Sequence, residues 1–188
     1  EKKIKFNLIK NNFLIIYHPE TNNKNFDIKP FVNILNSIRK IKNSTFIFSL
    51  SNADAGSGII NERIVNFVKK NKINSIFFDS MGQNLYYSAL KYCNIMIGNS
   101  SSGIIEAPYF KTPSINVGDR QSGRVSAKSV IHVNEKMSSI ENAIKLAIKF
   151  NKSSNTSKFN NPYGKLQSSK KILNILDKIN FNKNNTKK

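Results

Sequence analysis

Short apolar runs alternate with amphipathic helical patterns along almost the whole chain, and no other feature restricts the fold as much. "NFLIIYHPE" opens with a buried strand, Phe13 to Tyr17, and stops at Pro19. "IKPFVNILNSIRKI" then places Ile28, Phe31, Ile34, Leu35 and Ile38 on one helical face, with Asp27 as the expected N-cap. "TFIFSL", "SIFFD", "IMIG", "PSINV" and "SVIHV" read as five further strands. Between them lie helical spacings through Ile60, Ile64, Phe67 and Val68, through "QNLYYSALKYC", and from within "SSGIIEAPYF". "SSIENAIKLAIKF" turns Ile140, Ala143, Ile144, Ala147 and Ile148 inward, and "SSKKILNILDKI" is the last helix expected. Apolar strands joined by helices are βαβ units, which require a parallel sheet covered on both faces. The expected architecture is therefore α/β, a doubly wound, Rossmann-like parallel sheet over residues 13–180, with a lead-in at 1–12 and a polar tail at 181–188.

Composition narrows what such a domain does. With 188 residues and 39% hydrophobic content, the chain supports one core-bearing domain. It begins with Glu rather than Met, and reads as a piece of something longer. No apolar run is long enough to span a bilayer, and none has a signal-peptide pattern. The single cysteine, Cys93, excludes an internal disulfide, fits a reducing compartment and is read as core packing. A net charge of +19 would suit nucleic acid. The lysines are scattered, however, and accompany a surplus of Asn, Ile, Phe and Ser that marks an AT-rich coding sequence. Solvated lysine faces and no nucleic-acid partner are the expectation. Two well-separated histidines and one cysteine give a dedicated metal site little support.

In a doubly wound sheet, ligands bind beyond the carboxyl ends of the strands near the switch point. His18, Asn52, Ser80 and Gly98 to Ser102 all follow strands, so the topology draws these loops towards one crevice. The densest chemistry lies in residues 94–124, "NIMIGNSSSGIIEAPYFKTPSINVGDRQSGR", which hold four of the eight glycines. Gly98 permits a tight turn, and Ser100 and Ser101 offer hydroxyls and free backbone N–H groups at a helix start, an arrangement suited to phosphate. The plainer alternative is that the serines only cap the helix. Glu106, about a turn further on, either complements the helix dipole or accepts from a vicinal diol such as ribose. Arg120 and Arg124 are two of only four arginines in a lysine-rich chain. They suggest planar recognition of an anion, or else a surface ion pair with Asp119. His18 is either a structural hydrogen-bonder or an acid–base group, whereas His132, inside a strand pattern, is read as structural.

"HPET", "SNADAGS", "IGNSSSGIIEAPYFKTPSINVGDRQSGR" and "NPYG" together resemble the hydrolysing UDP-N-acetylglucosamine 2-epimerases of sialic and legionaminic acid synthesis. The resemblance implies the carboxyl-terminal half of a glycosyltransferase-B-like two-domain fold, with the N-terminal domain of the same polypeptide missing. It implies a cytoplasmic enzyme, homo-oligomeric at full length, that acts on a UDP-sugar and needs no cofactor. By the same resemblance Ser100 and Ser101 would hold the diphosphate, with Gly103 in the same UDP-binding turn, and Glu106 would bind the ribose hydroxyls. Asn52 and Arg120 would line the nucleotide pocket, the backbone around Met81 would meet the uracil, and His18 would serve catalysis near the diphosphate and sugar. The chain departs from the family where Lys165-Leu166 follow "NPYG", in place of the usual Asp-Gly. A glycosyltransferase of the same fold and a basic nucleic-acid-binding domain are the alternative readings.

Overall fold

A computed structural model of the chain describes residues 6–20, 27–51, 54–151, 159–163 and 167–179. In chain order the elements are β1 (Asn11–Ile16), α1 (Lys29–Arg39), β2 (Ser44–Ser49), α2 (Ser57–Lys70), β3 (Ser75–Phe78) and α3 (Gly82–Tyr92). They continue with β4 (Ile95–Gly98), α4 (Ser102–Ile105), β5 (Ser114–Val117), β6 (Val130–Val133), α5 (Met137–Asn151) and α6 (Ser168–Leu176). All six expected strands form. They make one sheet in the order β3-β2-β1-β4-β5-β6, with every neighbouring pair parallel. The order reverses between β1 and β4, and a crevice opens at the carboxyl end of such a reversal.

The strands are apolar throughout because both faces are covered. Along β1, Phe13 and Ile15 share a core with Phe31 and Ile34 of α1, Ile60 and Ile64 of α2, and Ile140 and Ile144 of α5. Leu14 and Ile16 point the other way and pack with Leu90 of α3, Cys93, Met96 and Ala107. This alternation is the two-residue period of a strand. The helical faces read from the sequence are those buried here, with Ile28, Val68 and Ile148 at their partly covered margins. A buried Phe or Ile contributes about 1.5–3 kcal/mol by leaving water. Lys40 reaches Glu141 at 2.7 Å and ties the end of α1 to α5, but Lys40 is largely exposed, so the pair adds about 1 kcal/mol at most.

Three details differ from the sequence expectation. Ile28, not Asp27, occupies the N-cap of α1, and Asp27 Oδ1 accepts the Lys29 N–H at 2.8 Å from one position further back. The helix after the serines is a single turn, followed by a run of turns to Lys111, whose φ is +58°. Helix α6 forms but contributes no buried residue. Asn52 and the tail at 181–188 lie outside the described residues.

Candidate functional site

The switch point is built around Gly98 and Asn99. Gly98 ends β4 with φ +149°, and a Cβ there would lie 1.7 Å from the carbonyl oxygen of Ile16 in β1. Only glycine lets the two strands run this close before their loops part. Asn99 comes next and is completely buried. Its Oδ1 accepts the His18 N–H at 2.8 Å, and its Nδ2 donates to the His18 carbonyl at 2.8 Å. Its own carbonyl accepts from Arg120 Nη1 at 3.1 Å and Gln121 Nε2 at 2.9 Å. The loops after β1, β4 and β5 thus meet on one asparagine.

The serine run is poorly used as a cap. Ser101 holds the N-cap position of α4 without a side-chain capping bond, and Ser102 N–H reaches Ser100 Oγ only at 3.4 Å. The Ser100 and Ser102 hydroxyls are 2.8 Å apart. Among the described residues no acceptor faces the backbone N–H of Ser100 or Ser101, as expected where a helix starts. Gly103 is buried against Ser114, whose hydroxyl donates to its carbonyl. Free N–H groups beside two hydroxyls offer an anion more donors than capping needs.

Glu106 occupies the C-cap of α4. A carboxylate at that end opposes the helix dipole, which removes one of its two sequence readings. Its Oε2 accepts from the Tyr86 hydroxyl at 3.0 Å, so α3 fixes its orientation. Burial, and the charge of Glu106, push the Tyr86 hydroxyl far above its ordinary pKa, although a Ser102 hydrogen bond pulls the other way. Tyr86 therefore remains a donor to Glu106 Oε2.

His18 Nδ1 lies 3.3 Å from Ser51 Oγ, which is 3.2 Å from Ser57 Oγ. Burial and then the Arg120 guanidinium lower the His18 pKa, while Asp54 opposes them. These influences together favour the neutral imidazole, which keeps one N–H donor and one acceptor nitrogen. Further along the crevice the field turns negative. Glu20 Oε1 and Glu135 Oε1 would lie 3.1 and 3.2 Å from a Cβ on Gly118, and burial followed by Glu20, Asp27 and Asp119 raises the Glu135 pKa.

The structure thus gathers His18, Ser100, Ser101 and Arg120 on the loops of the switch point, with Gly103 in the first turn of α4 beside them. Met81 heads α3 and is buried with Leu14 and Ile16. Among the described residues no ion pair joins Asp119 to Arg120 or Arg124, so the surface-pair reading of those arginines gains no support. Cys93 is buried and its thiol is pushed up to about 12, as core packing requires. His132 lies between Asn116 Nδ2 at 3.2 Å and Ser126 Oγ at 3.0 Å. Among the described residues no group of three or more His, Cys, Asp or Glu could hold a metal, and no helix is long and apolar enough to cross a membrane. Sequence reasoning missed Asn99, Gln121 and Tyr86. Asn99 carried one available signal, a polar residue between a strand-ending glycine and the serines. Tyr86 carried none, since its partner is twenty residues away.

The family model described as UDP-N-acetylglucosamine 2-epimerase matches residues 1–177. The chain belongs to the UDP-N-acetylglucosamine 2-epimerase family. It is 43% identical over 131 residues to a GDP/UDP-N,N'-diacetylbacillosamine 2-epimerase (hydrolyzing) of Campylobacter jejuni, a match covering 70% of this chain and 34% of that protein. It is 38% identical over 149 residues to the polysialic acid biosynthesis protein P7 of Escherichia coli, covering 78% and 38%. The chain thus spans little more than a third of the length of these two relatives. The fold is that of the Methanocaldococcus jannaschii UDP-GlcNAc 2-epimerase solved with UDP-GlcNAc and UDP, at a TM-score of 0.66 and 18% identity, covering 89% of this chain and 45% of that one. This family assignment agrees with the resemblance read from the sequence.

Proposed function

We propose that this chain is the UDP-binding, carboxyl-terminal half of a hydrolysing sugar-nucleotide 2-epimerase, which works together with an N-terminal domain of the same polypeptide. One observation carries the reading: Asn99 collects the loops after β1, β4 and β5, which bear the imidazole, the serine donors and the guanidinium, at the reversal of the sheet. Ser100, Ser101 and the backbone about Gly103 hold the diphosphate. Arg120 adds a planar charge, for which one N–H is committed to Asn99 and the rest are free. Glu106 takes the ribose hydroxyls through the oxygen that Tyr86 leaves open, and the backbone at Met81 meets the uracil. Asn52, outside the described residues, is assigned to the nucleotide by its motif alone.

In the reaction a base removes the C2 proton of the sugar, the C2–H electrons form the C1–C2 double bond, and the C1–O bond breaks. UDP leaves with that electron pair. Water then adds hydroxyl to C1 and a proton to C2, releasing the 2-epimerised N-acetyl sugar. Donors fixed on the departing diphosphate stabilise charge that grows in the transition state, and a prepositioned site pays little reorganisation for doing so. His18, whose neutral imidazole still carries one N–H, donates that hydrogen bond to the leaving diphosphate. The carboxylates that move the C2 proton are assigned to the N-terminal domain.

Titration calorimetry of UDP against the chain, with CMP and a short duplex DNA as controls at two salt concentrations, tests the reading. UDP-selective heat that survives moderate salt is expected. DNA binding with a steep salt dependence and no UDP heat would overturn it.

A further inference from the structure

Arg120 is the cation of the candidate nucleotide site, yet it is exposed and lies on a loop. A long, flexible side chain there loses affinity through its rotamer freedom unless something holds it in place. Its sequence neighbour supplies the means. Gln121 is only 3% exposed, and its Nε2 donates at 2.9 Å to the Asn99 carbonyl, the same oxygen that Arg120 Nη1 reaches at 3.1 Å. Adjacent residues of a loop thus converge on one acceptor, and that acceptor belongs to the residue immediately before the serine run.

The other end of the Gln121 amide points to the same purpose. Its Oε1 is buried without a hydrogen-bond partner. A buried acceptor left unpaired costs stability, so the fold gains little from an amide here beyond the donor that reaches Asn99. Asn99 completes the link, because its side chain holds the His18 backbone in both directions.

We propose that Gln121, acting through the Asn99 carbonyl, is a positioning residue that sets Arg120 against the serine loop and His18. The proposal rests on the nucleotide reading for its ligand, although the clamp itself exists in the free chain. Gln121 anchors the loop after β5, so Arg120 meets a bound diphosphate already placed. Without that anchor the loop is tied to Asn99 only by the arginine that must also bind.

The experiment is a double-mutant cycle on the full chain, reading UDP affinity by calorimetry. Gln121→Met keeps length and removes the donor together with the orphaned acceptor. Its melting temperature is expected to equal or exceed that of the wild type, while UDP affinity falls at least fivefold. In the Arg120→Lys background the same substitution is expected to change affinity less than twofold, because a residue acting through Arg120 has nothing left to position. Equal losses in both backgrounds, or a fall in melting temperature matching the loss, would overturn the proposal.

A second readout needs no ligand. The His18 ring meets Ser51 at 3.3 Å and feels the opposing charges of Arg120 and Asp54, so freeing Arg120 weakens a positive influence on it. The ¹⁵N titration of His18 is expected to move to higher pH in Gln121→Met, and an unmoved titration counts against the clamp. Should the wild-type chain fail to bind UDP, the nucleotide reading falls while the imidazole titration still decides the clamp.

Discussion

Glu106 shows how a single side chain changes meaning once its neighbours are known. At a helix start its charge would have been stabilising, but at the C-cap of a one-turn helix it is not, and Tyr86 holds it instead. Glu106→Ala is therefore expected to weaken UDP binding by about 1–3 kcal/mol, the range for losing hydrogen bonds to a charged group. Pyrophosphate, which lacks ribose, should bind almost unchanged, and calorimetry with both ligands checks this. Equal losses would remove the ribose role. His18 makes a separate prediction through linkage. Its folded pKa lies below its unfolded value, chiefly from burial and then Arg120. The unfolded chain thus takes up the proton first, and its stability contribution is present above about pH 6.5 and lost as pH falls below it. Urea melts from pH 8 to 5 should show a decline that His18→Gln flattens. Glu135, raised by burial and by Glu20, runs in the opposite sense, so the difference between wild type and variant is the quantity to follow.

Elements are held in place here by a few contacts of backbone against backbone. Gly98 is the sharpest case, since a methyl at its Cβ position would overlap the Ile16 carbonyl of the neighbouring strand. Gly98→Ala must push β4 away from β1 or bend its end, and a cost of about 3 kcal/mol or more is expected, in the range of mutations that strain a special backbone position. Thermal unfolding should show a drop of several degrees, with UDP binding lost before the fold is. A substitution with no effect on either would mean that the strands can separate freely at the switch point. The pattern of apolar residues had already placed these elements, because a strand buried on both faces admits little else. It could not give their ends. Asp27 Oδ1 holds the Lys29 N–H from one residue behind the N-cap, and the single turn of α4 ends at Ile105, three residues before Pro108. Such boundaries are set by local hydrogen bonds that compete within a residue or two.

For the whole molecule, the chain spans little more than a third of the length of the relatives it matches. If the C2-proton carboxylates lie in an N-terminal domain, the chain alone should bind UDP and give no 2-epimerised sugar above background. Product assay by chromatography checks this, and steady turnover would place the base within these residues, with Glu20 or Glu135 the first to replace. The charge of +19 should show as weak, salt-sensitive attraction for polyanions, separable from UDP binding by the salt series.

Alternating apolar strands and helices, read from the sequence alone, determined the doubly wound sheet, its six strands, most of its core and the loops on which a ligand would sit. Periodicity has that reach because burial is demanded residue by residue along each element. The serine run, Glu106 and Arg120 stood out by residue type against a lysine- and asparagine-rich background. Tertiary structure alone decided what connects them: Asn99 joining three loops, Gln121 beside Arg120, and Tyr86 on Glu106. These contacts link residues from twenty to more than eighty positions apart, and a polar side chain carries no periodic mark of its partner. Its role exists only once the chain has brought a donor and an acceptor together out of reach of water.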